Sequence, residues 1–475
     1  MRIAFYGGGF NPPTKSHRQA IEILLTVKDE NGNKFFDKVI VTPCGSRPDK
    51  GSVEKTDPLH RAALCDLAFG DLGAEIDLSD LEKARFTPNH EIQSNLEARF
   101  PGAEIWHIVG ADIIEKDIIR KIWQKGDELW HKLNFGIFDR GGYILEKENL
   151  PPHRKILPGP PASSSTEARK AVAENDLETL VKLVTPEVYK HIVRHRLYQP
   201  FVQSRTVNDI RFTNETRFAI LADKRNPLAG TMAATLKKSG LLVSQKNPEA
   251  LIVIGGDGFM LRSIRKMWRR RLPIIGLNAG HLGFLLSNTT AEEFATMVLD
   301  GLTTTSYHLP LLYVEAKGTD GSEHRGFAFN DAWVERSGQQ TARLAVEIST
   351  LDWQRNFHLS CDAVLVCLSQ GSTAYARSMG VQPVPPGTKQ MFLAALATTY
   401  PEIRWPPMPL PFDTTVTFEI LEAKKRPVRA VIDGVSVGKV TSLQTRRSRI
   451  AAAELVFLKP SDWELKVIDS LLPKR

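Results

Sequence analysis

Two glycine-rich loops hold residues whose types and spacing suit phosphate chemistry. The first is Gly7-Gly8-Gly9-Phe10-Asn11-Pro12-Pro13-Thr14-Lys15-Ser16-His17. Glycines let the main chain approach an anion closely. A helix starting here would add unpaired N–H groups and a positive dipole end. Thr14 and His17 are three apart, so at a helix start they share a face. A histidine so placed can donate to an α-phosphate whose charge grows during attack. The second loop is Gly255-Gly256-Asp257-Gly258. Its glycines make a tight turn that exposes a carboxylate beside main-chain N–H groups. Such a carboxylate can take a proton from a sugar hydroxyl or help place Mg2+. Alone, each loop also fits a plainer reading: a turn with a capping or surface histidine, and a strand-ending turn with a capping aspartate.

Their company favours the chemical readings. Ile108-Val109-Gly110-Ala111-Asp112 ends a strand with a glycine turn and a carboxylate suited to a ribose hydroxyl. Ser164-Ser165-Thr166-Glu167-Ala168-Arg169 opens a helix with capping residues and an arginine one turn in. That gathers N–H groups, hydroxyls and a guanidinium near one anion. An ordinary capping box of Ser164 with Glu167 explains part of the segment. Trp123 fits a core position and a ring-stacking role about equally. Beyond the second loop, Gly276-Leu277-Asn278-Ala279-Gly280-His281-Leu282-Gly283-Phe284-Leu285 follows a strand; Asn330-Asp331 follows Phe327-Ala328-Phe329; and Gly371-Ser372-Thr373-Ala374-Tyr375 follows an apolar strand.

Strands and helices must carry these loops. Apolar runs at 3–6, 38–42, 105–109 and 135–138 read as strands, with helical patterns at 17–27, 57–69 and 167–173 between or after them. Such alternation predicts an α/β fold with a mainly parallel sheet. Residues 198–213 are polar, contain Pro200, have poor periodicity and read as a linker between domains 1–197 and 214–475. Strands at 218–222, 251–254 and 274–277 open a second α/β run. From about residue 307, β-branched and aromatic alternation at 312–316, 344–348 and 416–421 predicts an antiparallel region behind it.

The chain has 475 residues, 42% of them hydrophobic, enough for several cores. Its four cysteines, Cys44, Cys65, Cys361 and Cys367, are scattered, which argues against a zinc site or a disulfide framework and suits a reducing cytoplasm. No apolar stretch is long enough for a membrane span. The net charge of +8 suits anionic partners. Its densest basic cluster, 262–271, reads as a solvated or phosphate-attracting face, since no series of interleaved stacking aromatics and no nucleic-acid motif accompanies it.

The first set of motifs resembles the nicotinamide/nicotinate mononucleotide adenylyltransferase family, with its GxFxPxxxxH loop, GxD turn and late SSTxxR motif in order over roughly residues 1–197. The resemblance implies a Rossmann-like nucleotidyltransferase fold. It assigns Gly8, Phe10 and His17 to the ATP phosphate site, with His17 stabilising the transition state. It assigns Asp112 to the adenosine ribose, Ser164, Thr166 and Arg169 to the triphosphate, and Trp123 to the pyridine ring. Asn11, Thr14 and Lys50 join the same substrate site. Thr14 stands where many bacterial members have histidine, and Ser163 where an aliphatic residue usually precedes SST. The implied reaction is attack by a mononucleotide phosphate on ATP, releasing pyrophosphate.

The second set resembles the NAD kinase family over roughly residues 214–475. The resemblance implies that Asp257 activates the adenosine-ribose 2′-hydroxyl of NAD, within the loop that includes Gly256 and Gly258. Asn330 and Asp331 would bind the NAD ribose and adenine region, Asp362 the nicotinamide side, and Thr373, Ala374, Tyr375 and Ser378 the adenosine pocket. Asp433-Gly434 resembles the family's late DG turn. Three motifs depart. An asparagine–glutamate pair becomes Asn330-Asp331, GDG becomes Cys361-Asp362-Ala363, and TPTGSTAY becomes Leu368-Ser369-Gln370-Gly371-Ser372-Thr373-Ala374-Tyr375.

The resulting expectation is a cytoplasmic bifunctional enzyme acting on ATP, nicotinamide or nicotinate mononucleotide, and NAD. Mg2+ would arrive with ATP rather than on a protein metal cluster. Nucleic-acid and membrane partners are not expected; a homo-oligomer through the kinase domain is. Two alternatives stay open: a non-catalytic NAD- or NADP-sensing second domain, and a first domain that transfers a nucleotidyl group to another phosphate such as phosphopantetheine.

Overall fold

The computed structural model describes residues 1–46, 56–83, 85–139, 147–161, 163–199, 207–280, 283–401, 405–458 and 462–471. Lys50 and the pair His281-Leu282 lie outside them. The chain divides into two compact units, Met1–Ser204 and Arg205–Arg475. Among the described residues no helix is long and apolar enough to cross a membrane.

The first unit is built on β1 (Arg2–Gly8), β2 (Lys38–Pro43), β3 (Glu75–Ile76), β4 (Glu104–Gly110), β5 (Asn134–Asp139) and β6 (Arg154–Pro158), in the order β3-β2-β1-β4-β5-β6. Every pairing is parallel. Parallel strands buried on both faces read as continuous apolar runs; in β1, Ile3, Ala4, Phe5 and Tyr6 are all buried. Ile3, Phe5, Ile40, Leu96 and Ile105 form one core cluster, and Val109, Ile114, Leu129, Trp130, Phe135 and Ile137 belong to another. Strand order reverses between β1 and β4. In open α/β sheets the ligand crevice lies outside the C-terminal ends of strands at such a point. Here those ends are Gly7-Gly8 and Gly110.

The second unit begins earlier than the sequence suggests. Residues 207–212, expected as linker, form β7 (Val207–Phe212), which pairs antiparallel with β12 (Leu302–Gly318). Asn208, Ile210 and Phe212 are buried at every second position. That two-residue period is real but short and interrupted by charge, so it reads as irregular. A parallel layer follows: β8 (Arg217–Ala222), β9 (Leu242–Val243), β10 (Ala250–Gly255) and β11 (Pro273–Asn278), ordered β11-β10-β8-β9.

The remaining strands are β13 (Glu323–Ala328), β14 (Asp331–Arg336), β15 (Ala342–Ser349), β16 (Gln354–Cys361), β17 (Ala363–Leu368), β18 (Gln390–Leu396), β19 (Met408–Pro411), β20 (Thr415–Leu421), β21 (Val428–Ile432) and β22 (Val435–Phe457). Their pairings are antiparallel except where the end of β22 joins β11 in parallel. β22 spans 23 residues and links the two regions. The order β19-β18-β17-β14-β21-β22-β11 carries the antiparallel strands into the parallel layer.

Candidate functional sites

In the first unit the chain leaves β1 through residues 9–14 and enters the helix Lys15–Thr26. Phe10 sits at φ 42°, a left-handed conformation unfavourable for an L-residue. Packing fixes it there: its buried ring meets Tyr6, Phe69 and His17 edge-on at 5.4, 5.5 and 5.2 Å. A Cβ on Gly8 would lie 2.8 Å from Phe10 Cζ, so a glycine there makes the turn possible. The Thr14 N–H donates to His17 Nδ1 at 3.0 Å, and the Thr14 hydroxyl lies 2.8 Å from the same nitrogen. Nδ1 is therefore the acceptor, which assigns the ring proton to Nε2.

The late serine segment is stitched onto this loop. Arg169 Nη1 donates to the Asn11 carbonyl at 2.5 Å, the Ser165 hydroxyl to the Pro12 carbonyl at 2.8 Å, and the Ser163 hydroxyl to Thr14 Oγ1 at 3.1 Å. Arg169 Nη2 also donates to Thr166 Oγ1 at 3.0 Å. Ser164 caps the helix Ser165–Ala173 by accepting the Glu167 N–H at 3.0 Å. Asn11 is buried; its Oδ1 accepts from the Tyr198 hydroxyl at 2.7 Å and its Nδ2 donates to Thr56 at 3.0 Å. Ser163, the departure from the aliphatic pattern, thus uses its hydroxyl on the loop.

A cavity of about 520 Å³ opens beside β1 and β4, lined by Gly7, Gly8, Gly9, His107, Gly110 and Trp123 among others. Trp123 is half-buried, its ring 6.5 Å from His107 and 6.4 Å from Phe135. Asp112 sits on the short helix Ala111–Glu115 that follows Gly110. Neither Asp112 nor His17 is among the lining residues.

Three residues here escaped the sequence reading. Arg61, only 2% exposed, donates from Nη2 to the carbonyls of Gly9 at 2.8 Å and Cys44 at 2.7 Å, tying the loop after β1 to the end of β2. Its signal was a lone charge amid Leu59, Ala62, Ala63 and Leu64. His107 donates from Nε2 to Gln93 Oε1 at 2.8 Å, and burial holds its pKa down at about 4, so it stays neutral. Tyr198 lay in the expected linker and carried no motif.

In the second unit β10 ends at Gly255, and Asp257 is the first residue of the helix Asp257–Met267, with Gly256 as its cap. Its Oδ2 accepts the Phe284 N–H at 2.9 Å and its Oδ1 the Leu285 N–H at 3.1 Å. The two glycine-rich motifs therefore meet at one carboxylate. A Cβ on Gly283 would come within 3.1 Å of Asp257 Oδ1, and one on Gly276 within 2.8 Å of the Leu285 carbonyl. Burial raises the Asp257 pKa, opposed by the Phe284 and Leu285 N–H groups and by Lys466.

Asn330 and Asp331 stand where β14 begins. Asp433, in the β21–β22 turn, accepts the N–H groups of Phe329 and Asn330, each at 2.8 Å, and returns its own N–H to the Asp331 carbonyl at 3.0 Å. Asp331 is 3% exposed, and its Oδ2 has no hydrogen-bond partner among the described residues. Burial, then the neighbouring Asp433 charge, push its pKa up to about 8. The turn carrying Gly371, Thr373 and Ala374 packs directly on Asn330: a Cβ on Gly371 would lie 2.1 Å from the Asn330 carbonyl oxygen. Gln370, at an altered motif position, donates to the Pro310 carbonyl at 2.8 Å and the Phe329 carbonyl at 3.1 Å. Tyr375 stacks obliquely on Trp333 at 5.0 Å. Ser378 is exposed, and its hydroxyl donates to the Tyr375 carbonyl at 2.7 Å.

Asp362 does not join this group. Antiparallel register pairs Asp331 with Cys367 and Glu335 with Ala363. Asp362, one residue before β17, is thus at the opposite end, roughly 17 Å away at strand spacing. Its carboxylate pairs with Arg336 Nε at 2.7 Å. The basic cluster at 262–271 is likewise only partly a solvated face: Arg265 donates to the Ile432 carbonyl and Arg271 to the Ile450 carbonyl.

The profile of the ATP-NAD kinase N-terminal domain family matches residues 170–307. An NAD kinase of Caulobacter vibrioides is 31% identical over 226 residues, covering 48% of this chain and 85% of that protein. The chain belongs to the NAD kinase family. An NAD kinase of Mesorhizobium japonicum is 32% identical over 222 residues, covering 46% of this chain and 84% of its own length. A solved yeast NADH kinase complexed with NADH aligns with TM-score 0.46 and 17% identity, over 55% of this chain and 89% of that one. The kinase-family profile begins matching at residue 170, inside the first unit, whereas the first described strand of the second unit is β7.

Proposed function

We propose that the chain joins a pyridine mononucleotide to the adenylyl group of ATP at its first unit and phosphorylates NAD at its second. The observation carrying the first half is the set of three hydrogen bonds fastening residues 163–169 to residues 11–14, beside the point where sheet order reverses. They bring a guanidinium, hydroxyls, a helix N-terminus and His17 to one place. In the reaction a phosphate oxygen of the mononucleotide attacks the ATP α-phosphorus, the bond to the β-phosphate breaks, and pyrophosphate leaves. His17 donates Nε2–H to the developing charge. Arg169, Ser164 and Thr166 hold the triphosphate, and Trp123 lines the cavity for the pyridine ring. Positioning and charge stabilisation supply the catalysis. ATP enters as its Mg2+ complex.

At the second unit Asp257 takes the proton of the NAD 2′-hydroxyl, whose oxygen attacks the ATP γ-phosphorus and releases ADP. The two N–H bonds to Asp257 aim its carboxylate. Nicotinamide mononucleotide yields NAD directly, so it suits a two-step chain better than nicotinate mononucleotide, whose product needs amidation first. The pairing of Asp362 with Arg336, away from Asn330-Asp331, favours a second reading in which this unit binds NAD or NADP without phosphorylating it.

The test incubates purified chain with Mg2+-ATP and each mononucleotide, then resolves NAD, its deamido form, NADP and pyrophosphate. His17→Ala is expected to slow dinucleotide formation by ~10²–10³-fold and leave NADP formation from added NAD intact. Asp257→Ala is expected to do the reverse. Absence of pyrophosphate with both mononucleotides would sink the transferase half. NAD binding without NADP formation would establish the sensor reading.

A further inference from the structure

The C-terminal helix Asp462–Leu471 brings one cation close to the kinase chemistry. Lys466 is 6% exposed. Its ammonium donates to the Leu286 carbonyl and lies 6.0 Å from the Phe457 ring centre. Burying an ammonium is unfavourable unless partners compensate it, so its location calls for a reason. Leu286 directly follows Phe284 and Leu285, the residues whose N–H groups bond both Asp257 oxygens. One three-residue segment therefore offers N–H groups to a buried carboxylate and a carbonyl to a buried ammonium. The two opposite charges polarise the segment in the same sense.

We infer that Lys466 is a positioning residue for the phosphorylation of NAD: through the Leu286 carbonyl it anchors segment 284–286 against Asp257, the base of that reaction. The inference rests on the kinase reading of Asp257. Burial favours the protonated carboxyl, and three groups among the described residues oppose it: the N–H groups of Phe284 and Leu285, and Lys466. Lys466 is the charged one. Its role is to hold the segment rather than to exchange a proton with substrate.

The test uses the full chain with [13Cγ]aspartate labelling, the Asp257 signal being assigned with Asp257→Asn. Lys466→Gln can keep a donor to the Leu286 carbonyl while removing the charge, and Lys466→Arg keeps the charge. In Lys466→Gln the Asp257 titration midpoint and the acidic limb of kcat/KM for NADP formation should both rise by about one unit. At pH below both midpoints that is about tenfold in rate. Lys466→Arg should restore both. A Lys466→Gln protein that melts cooperatively with neither quantity moved overturns the inference. Lower activity with an unmoved limb also overturns it, since a purely structural support predicts that result. If Lys466→Gln does not fold, an altered limb in Lys466→Arg of more than half the expected shift overturns it. A wild-type chain that makes no NADP from NAD and ATP would instead sink the kinase reading, whatever the titration shows.

Discussion

Replacing Gly371 with alanine tests whether the altered motif still builds a kinase site. The added Cβ would lie 2.1 Å from the Asn330 oxygen, 2.7 Å from its carbonyl carbon and 3.0 Å from Cys367 Cβ. The first of these is more than 1 Å inside ordinary contact, and two of the three are main-chain atoms, so no flexible side chain can yield. Asn330 is pinned by its N–H to Asp433, and the turn by the two Gln370 bonds. Relief must shift one of them by about 1 Å. Overpacking of this kind costs about 1–3 kcal/mol, and an ~1 Å displacement of positioning groups lowers rates by about 100-fold. NADP formation from NAD and ATP should fall by that order and the second unit's melting temperature should drop. Dinucleotide formation should be unchanged. Gly230→Ala is the control, because a Cβ there meets nothing within 4 Å. A Gly371→Ala chain with wild-type kcat/KM and melting temperature would refute the packing argument.

Three further outcomes follow from the same geometry. The native Asp331 keeps its proton up to about pH 8, whereas in the unfolded chain it loses it near pH ~4. Its contribution to stability is therefore full below that pH and is lost as pH rises through 8; urea midpoints should decline more steeply from pH 5 to 9 in wild type than in Asp331→Asn, and equal slopes would refute the assignment. Arg61→Met removes the donor to two carbonyls, at about 1–3 kcal/mol per buried group left unpaired, so melting temperature and dinucleotide formation should fall while NADP formation from added NAD persists. Arg169→Lys keeps the charge but not a fork that reaches both Asn11 and Thr166, so KM for ATP in dinucleotide formation should rise about tenfold.

The sequence was most legible where period and chemistry coincide. β1, β2, β4 and β5 are apolar runs that end in glycine, proline or a carboxylate, so both their existence and their usable ends could be read. The parallel layer at 217–278 was legible for the same reason. β7 was not, because its period-two burial covers only three positions. Arg61 and Lys466 were not, because each acts on main-chain carbonyls far away in sequence, a relation that leaves no local pattern. Asp362 was read from motif order alone, which carries no distance to Asn330-Asp331. An antiparallel strand carries consecutive motif residues apart at about 3.3 Å each, so neighbours in sequence reached opposite ends of β17.

The departures from the kinase pattern also differ in kind. Gln370 replaces a motif threonine yet cross-ties Pro310 and Phe329, so the frame that presses Gly371 onto Asn330 is intact. Asp331 Oδ2 and Asn330 Oδ1 are both buried, and neither has a hydrogen-bond partner among the described residues. Buried polar atoms left unpaired are unfavourable by about 1–3 kcal/mol each, and a fold tolerates them most readily where a ligand supplies partners. Ribose hydroxyls both donate and accept, which suits the NAD ribose role proposed for this pair. The changes thus preserve the scaffold and fall on groups proposed to meet the substrate. Altered NAD affinity or preference is the expected consequence, and loss of the fold is not.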